Sequence, residues 1–183
     1  IEAGGHKCVD ATCPFVKKIH RIVAQKSEEG YLIVIIGNPD HPEVQGICGW
    51  SITSPIVIET PEEAEKFEAL EGQKICVVSQ TTFNYNKFQD LVEILKNSSY
   101  NVIVVNTICN ATLENQEAVR ELALKADVMV IVGGKNSSNT KQLYLIAKNL
   151  CKDSYLIESQ NELNSEWFKD KKICGVSAGA STP

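Results

Sequence analysis

Apolar residues recur at helical spacing from Phe15 to Glu29, where Val16, Ile19, Ile22 and Val23 share one side while Lys17, Lys18, Arg21 and Gln25 take the other. This pattern predicts an amphipathic helix. The period then changes, because Tyr31-Leu32-Ile33-Val34-Ile35-Ile36 is a continuous apolar run closed by Gly37-Asn38-Pro39, as expected of a parallel strand buried on both faces. A second helix is expected from Pro61 to Leu70, with Thr60 as N-cap, proline at the first helical position and Glu63 placed to complete a capping box. Further along, the spacing predicts strands at Lys74 to Ser79, Asn101 to Val105, Asp127 to Val132, Ser154 to Ile157 and Lys172 to Val176. Helices are expected at Asn84 to Lys96, Thr112 to Lys125 and Asn139 to Leu150.

Strands alternating with helices argue for parallel sheets covered on both faces. The fold class expected is therefore α/β, built as two similar lobes, each a small, mainly parallel sheet with helices on both faces. The Asn97-Ser98-Ser99 turn is too short for a linker. A softer boundary falls near Asn106 to Cys109, giving one lobe over residues 1–107 and another over residues 108–183. No period of solenoid type is visible. The chain opens on Ile1 and closes on a Gly/Ser loop that would ordinarily lead into a helix, so both ends read as cut.

With 183 residues, of which 43% are apolar, the chain has ample material for a packed core without staples. The formal net charge of -5, with lysines scattered among acidic residues, argues against nucleic acid as a partner. Of seven cysteines, Cys48, Cys76, Cys151 and Cys174 lie in or beside apolar runs and are expected in the core as reduced thiols. A reduced, cytoplasmic, soluble protein follows, with no membrane segment. His6 and His20 have no evident partner and are expected to be structural.

Cys13 and Cys109 differ from the other cysteines. Each stands where a strand-like run gives way to a helix-like run, in Asp10-Ala11-Thr12-Cys13-Pro14 and in Asn106-Thr107-Ile108-Cys109-Asn110-Ala111-Thr112. Soft thiolates there could hold an iron–sulfur cluster, provided both sulfurs face a common hollow, and helix N-termini could hold an anion. They are too far apart for a zinc knuckle, and no Cys-x-x-Cys occurs.

Ligands of doubly wound sheets collect beyond the carboxyl ends of the strands. The loops there carry His41 and Glu43; Ser79, Gln80, Thr81 and Thr82; Cys109, Asn110 and Thr112; Ser137, Ser138 and Asn139; and Gly179 and Ser181. Hydroxyls, amides and imidazole with few apolar neighbours suit a phosphate or diphosphate. Taken singly, each loop reads as a helix cap or an exposed turn. Their convergence favours a ligand, and neither a Walker loop nor a dinucleotide fingerprint is present.

These motifs, with Gly37-Asn38-Pro39-Asp40-His41-Pro42-Glu43-Val44-Gln45-Gly46, Ser79-Gln80-Thr81-Thr82, Asn115-Gln116-Glu117-Ala118-Val119, Gly134-Lys135-Asn136-Ser137-Ser138-Asn139 and Ala178-Gly179-Ala180-Ser181, closely resemble those of the 4-hydroxy-3-methylbut-2-enyl diphosphate reductase family (LytB/IspH). The resemblance runs in order from about Cys8 to Pro183. It implies an iron–sulfur oxidoreductase of isoprene biosynthesis by the non-mevalonate route, reductively dehydroxylating the substrate to isopentenyl and dimethylallyl diphosphate. It also implies a [4Fe-4S] cluster on three cysteines, of which Cys13 and Cys109 match two, and a ferredoxin or flavodoxin as electron donor. Glu43 matches the proton donor and Thr81 the hydroxyl beside it. His41, Thr82, Ser137, Ser138, Asn139 and Ser181 match residues that hold the diphosphate.

The family's first lobe, with the third cysteine ligand, and its closing C-terminal tail have no counterpart here. Cys8, expected on or beside a strand, is a poor substitute for that ligand. The resemblance thus implies that this chain is an inactive fragment, with an exposed docking face that promotes self-association. The competing readings are a phosphate- or nucleotide-binding α/β module without redox activity, and a structural half that works only when paired with another chain.

Overall fold

Every strand pairing in the computed structural model, which describes residues 4–5, 7–96, 100–180 and 182, is parallel. The first sheet is made by β1 (Leu32–Ile36), β2 (Ile56–Ile58), β3 (Lys74–Ser79) and β4 (Asn101–Val104), in the order β2-β1-β3-β4. Four helices flank it: α1 (Pro14–Glu28), α2 (Pro42–Cys48), α3 (Pro61–Glu65) and α4 (Tyr85–Lys96). The second sheet has the order β6-β5-β7, with β5 (Val128–Val132), β6 (Ser154–Ile157) and β7 (Cys174–Ala178), and is served by α5 (Asn110–Ala123) and α6 (Ser138–Leu150).

Alternation along the central strands divides the first core in two. Val34, Ile36, Ile75 and Val77 point toward α3 and α4, where Phe88, Leu91 and Leu95 close over them. Ile33, Ile35, Cys76 and Val78 point the other way, against Ile19 and Val23 of α1 and Val44 and Ile47 of α2. Each such side chain contributes about 1.5–3 kcal/mol by leaving water. The apolar run read from the sequence is thus a two-faced strand. In the second lobe, Val119, Leu143 and Ala147 cover Met129 and Ile131. Its opposite face carries short 3-10 turns at Gln160–Glu162 and Ser165–Phe168, and Trp167 stacks on Tyr155 with ring centroids 3.8 Å apart.

The α/β class and the two parallel sheets agree with expectation. Several local expectations need correction. The stretch 37–46, which reads as a loop, runs into α2 from Pro42 onward, and the edge strand β2 has no counterpart among the expected strands. Helix α3 stops at Glu65 rather than Leu70, since beyond it only Phe67 and Ala69 pack against the core while Leu70 is 77% exposed. Residues 7–13 form no strand, so Cys8 and Cys13 lie on irregular chain ahead of α1. Cys174 is exposed rather than core, because it opens the edge strand β7. His6 and the Asn97-Ser98-Ser99 turn fall outside the described residues.

Candidate functional site

The carboxyl ends of β1, β3 and β5 bring the candidate loops together beside the start of α6. His41 is the N-cap of α2, and its Nδ1 accepts the Glu43 backbone N–H at 3.2 Å. With Nδ1 used as acceptor, a neutral ring carries its proton on Nε2. That nitrogen is left as a donor. Proline at the first position of α2 and Glu43 at the second set the carboxylate in the positive end of the helix.

Glu43 is clamped from the end of β3. Its Oε1 accepts the Thr81 backbone N–H at 2.6 Å, and its Oε2 accepts the Thr81 hydroxyl at 2.7 Å. Both oxygens are thereby fixed in direction. The Thr81 carbonyl in turn accepts the backbone N–H of Cys109 at 3.0 Å, which ties the carboxylate and the thiol to one short segment.

Cys109 caps α5. Its Sγ accepts the Thr112 backbone N–H at 3.4 Å and lies 3.0 Å from the Thr112 hydroxyl. The sulfur, Thr112, His41, Thr82, Ser137, Ser138 and Asn139 line a cleft of about 420 Å³. Asn139 is only 7% exposed, yet neither its Oδ1 nor its Nδ2 has a hydrogen-bond partner among the described residues. A buried amide left unpaired costs stability unless something fills the cleft. Ser137, the N-cap of α6, directs the first free N–H groups of that 13-residue helix to the same place.

A second cleft of about 320 Å³ shares His41, Asn136 and Ser138 with the first and includes Asn38, Glu59 and Gln142. Gln80 joins the two lobes at this point, its Nε2 donating to Thr82 Oγ1 at 3.1 Å and to Ser138 Oγ at 3.2 Å. Thr82 also bonds Ser138, at 3.0 Å. In the sequence Gln80 reads only as a loop residue. Its single signal was its place directly after a buried strand.

Of the residues expected at the site, His41, Thr82, Cys109, Ser137, Ser138 and Asn139 line the cleft, and Glu43 with Thr81 adjoins it. Cys13, the exposed N-cap of α1, stands outside that lining. Ser181 falls outside the described residues. Both cysteines are free thiols at helix starts, a donor chemistry that fits thiophilic iron in kind. Among the described residues, however, no group of three His, Cys, Asp or Glu gathers to hold a metal by itself. No described helix is long and apolar enough to cross a membrane.

The family model described as LytB protein matches residues 1–183. Among curated proteins, a 4-hydroxy-3-methylbut-2-enyl diphosphate reductase of Campylobacter fetus is 60% identical over 175 residues, covering 96% of this chain and 62% of the relative. One from Campylobacter hominis is 50% identical over 183 residues, covering all of this chain and 66% of the relative. The chain therefore spans less than two thirds of the length of these relatives. Among solved structures, the Plasmodium falciparum E-1-hydroxy-2-methyl-but-2-enyl-4-diphosphate reductase superposes with a TM-score of 0.90 at 30% identity, covering 96% of this chain and 56% of that one. A second reductase structure, described as the terminal enzyme of the non-mevalonate pathway, gives 0.58 at 46% identity, covering 100% and 65%.

Proposed function

The chain belongs to the LytB protein family, and from that membership we propose that it forms the substrate-holding and proton-delivering part of a 4-hydroxy-3-methylbut-2-enyl diphosphate reductase. Residues 1–107 and 108–183 serve as two of its lobes. The reaction cleaves an allylic C–O bond and forms a C–H bond, consuming two electrons and two protons and releasing water. The observation that carries this reading is the Glu43–Thr81 clamp beside a cleft whose buried amide, Asn139, has no partner among the described residues.

In that cleft the diphosphate takes hydrogen bonds from the His41 Nε2–H, the hydroxyls of Thr82, Ser137 and Ser138, the Asn139 amide and the N–H groups that open α6. Ser181 joins them. Such donors stabilise an anion without a cluster of formal positive charge. Held by its tail, the substrate presents its hydroxyl end toward Glu43, so binding energy remote from the reacting carbon orients the bond that breaks. Glu43 in its acid form gives a proton to the departing oxygen, and Thr81 keeps the carboxyl group aimed. When bound, a [4Fe-4S] cluster on Cys13, Cys109 and a third ligand not among these residues supplies single electrons and an electrophilic iron. A ferredoxin or flavodoxin supplies the electrons, and the free thiols suit a reducing, cytoplasmic setting.

The test is anaerobic reconstitution of the chain with iron and sulfide, together with calorimetry of inorganic diphosphate. Wild-type chain takes up iron, Cys13→Ser and Cys109→Ser each lower it, and Asn139→Leu weakens diphosphate binding about tenfold, as expected for loss of a charge-assisted hydrogen bond. Iron uptake indifferent to both cysteines, with diphosphate still bound, leaves the phosphate-binding module as the correct reading.

A further inference from the structure

Gln80, the first residue after β3, is 1% exposed, and its amide is held at both ends. Its Oε1 accepts the backbone N–H of Asn38 at 3.2 Å, a donor that cannot reverse. The amide nitrogen is therefore the end that faces Thr82 and Ser138, since a flipped amide would set two donors against each other. The Asn38 loop is fixed in turn. Its side-chain oxygen accepts the Asp40 N–H at 2.9 Å, and its Nδ2 donates to both oxygens of Glu59, at 3.1 and 3.2 Å. Gly37 packs close behind, where a Cβ would lie 3.0 Å from the Gln80 Cβ and 3.2 Å from its Oε1.

A hydroxyl has one proton to donate and two lone pairs with which to accept. The Ser138 oxygen accepts twice, from Gln80 Nε2 at 3.2 Å and from the Thr82 hydroxyl at 3.0 Å, so its acceptor capacity is full. What remains to Ser138 is its proton, on a side chain that lines both clefts. The Thr82 oxygen accepts the other N–H of the same amide at 3.1 Å. Two hydroxyl protons are then left to the pair, and the bond from Thr82 to Ser138 uses only one of them. A ligand that displaces that bond gains the second.

We infer that Gln80 is a positioning residue: it sets the proton direction of the Thr82–Ser138 pair and makes this wall of the cleft a donor surface that selects a fully ionised phosphate group over a protonated or uncharged one. For the ligand's identity this rests on the reductase reading. An ionised phosphate oxygen accepts what the pair offers, whereas a protonated one brings its hydrogen to a Ser138 oxygen with no lone pair left.

The experiment is calorimetry of inorganic diphosphate on the full-length reductase and its variants between about pH 6 and about pH 9, the ratio of variant to wild-type affinity cancelling the ligand's own titration. Gln80→Glu keeps an acceptor for Asn38 but turns a carboxylate oxygen on the two hydroxyls and draws their protons from the cleft. Its affinity falls about tenfold or more at the alkaline end and recovers toward wild type as the introduced carboxyl group protonates at the acid end. Gln80→Met supplies no amide and loses less, with a ratio flat in pH. On a Ser138→Ala background the Gln80→Glu loss shrinks, because the proton it redirects is gone. No deficit in Gln80→Glu, or one flat in pH and equal to that of Gln80→Met, overturns the inference. If the pH-dependent deficit is found but the wild-type enzyme does not turn over substrate with a chemical reductant, the reductase reading falls and the role of Gln80 stands for an anion cleft. Wild-type protein that binds no diphosphate at any pH overturns both.

Discussion

Two residues show how burial and hydrogen bonding set chemistry one group at a time. Glu43→Gln keeps both Thr81 contacts only by reversing one of them, its amide oxygen accepting the Thr81 N–H and its amide nitrogen donating to the Thr81 hydroxyl oxygen, and it cannot deliver a proton as an acid does. In the full-length reductase it should retain diphosphate affinity and lose roughly 10²-fold or more of kcat. Turnover at the wild-type rate would remove Glu43 from the reaction. Cys76 is fully buried between β1 and β4, and that burial pushes its thiol up to about 11 from an ordinary 9.0. A raised thiol pKa stabilises the fold below the unfolded-state value and loses that contribution as pH climbs toward 11. Over that window Cys76 should cost about 2–3 kcal/mol, so Cys76→Val should flatten the fall seen in urea melts between these pH values. Equal pH slopes for both proteins would refute it. At this scale the sequence was informative about placement, because the loops it marks out bring Asn139 into the cleft and Glu43 with Thr81 beside it. What it concealed was partnership: nothing in the string links Gln80 to Ser138, fifty-eight positions apart, or leaves both ends of the Asn139 amide without a mate.

Helices and strands were legible where they were long. The strands Lys74–Ser79 and Ser154–Ile157 fall where the apolar runs place them, while α2 and β2 are both too short to leave a pattern in the sequence. Helix α2 has seven residues and an imidazole N-cap in place of the usual hydroxyl or carboxylate, and β2 has three residues, too few for any period to register. Short elements exist by tertiary support. The same dependence is visible where β5 and β7 end, at Gly133 and Gly179. A Cβ on Gly179 would sit 2.3 Å from Thr140 Oγ1, and one on Gly133 2.7 Å from the same atom. Thr140, at the start of α6, is 1% exposed and wedged between these strand ends. Gly179→Ala should therefore cost about 1–3 kcal/mol by overpacking. Adding Thr140→Ala vacates the contested space, so the double variant should be more stable than Gly179→Ala alone. Additive losses in that cycle would show that the close approach is not what demands glycine.

Across the whole molecule, the two sheets have separate cores, and polar side chains do much of the joining. Gln116 of α5 is 1% exposed, and its Nε2 donates to the Phe83 carbonyl while its Oε1 accepts the Tyr85 N–H, both at 3.0 Å. It thereby replaces the backbone partners that the turn into α4 cannot supply for itself. Gln80 and Thr82 reach Ser138 nearby, so the lobes meet through oriented hydrogen bonds beside the very cleft they enclose. Such a junction fixes the angle between lobes more than it adds to their stability, because each bond contributes only about 1 kcal/mol net, whereas an abandoned buried partner costs about 1–3 kcal/mol. The sequence could announce two α/β halves from its rhythm, but not this seam, since an isolated glutamine in a helix carries no periodic signal. Gln116→Met matches the side chain in length and strands both the Phe83 carbonyl and the Tyr85 N–H. It should lower the unfolding midpoint and separate one cooperative urea transition into two, as each lobe begins to melt on its own core. A single transition at the wild-type midpoint, followed by tryptophan fluorescence from Trp50 in one lobe and Trp167 in the other, would mean that the cores rather than Gln116 hold the halves together.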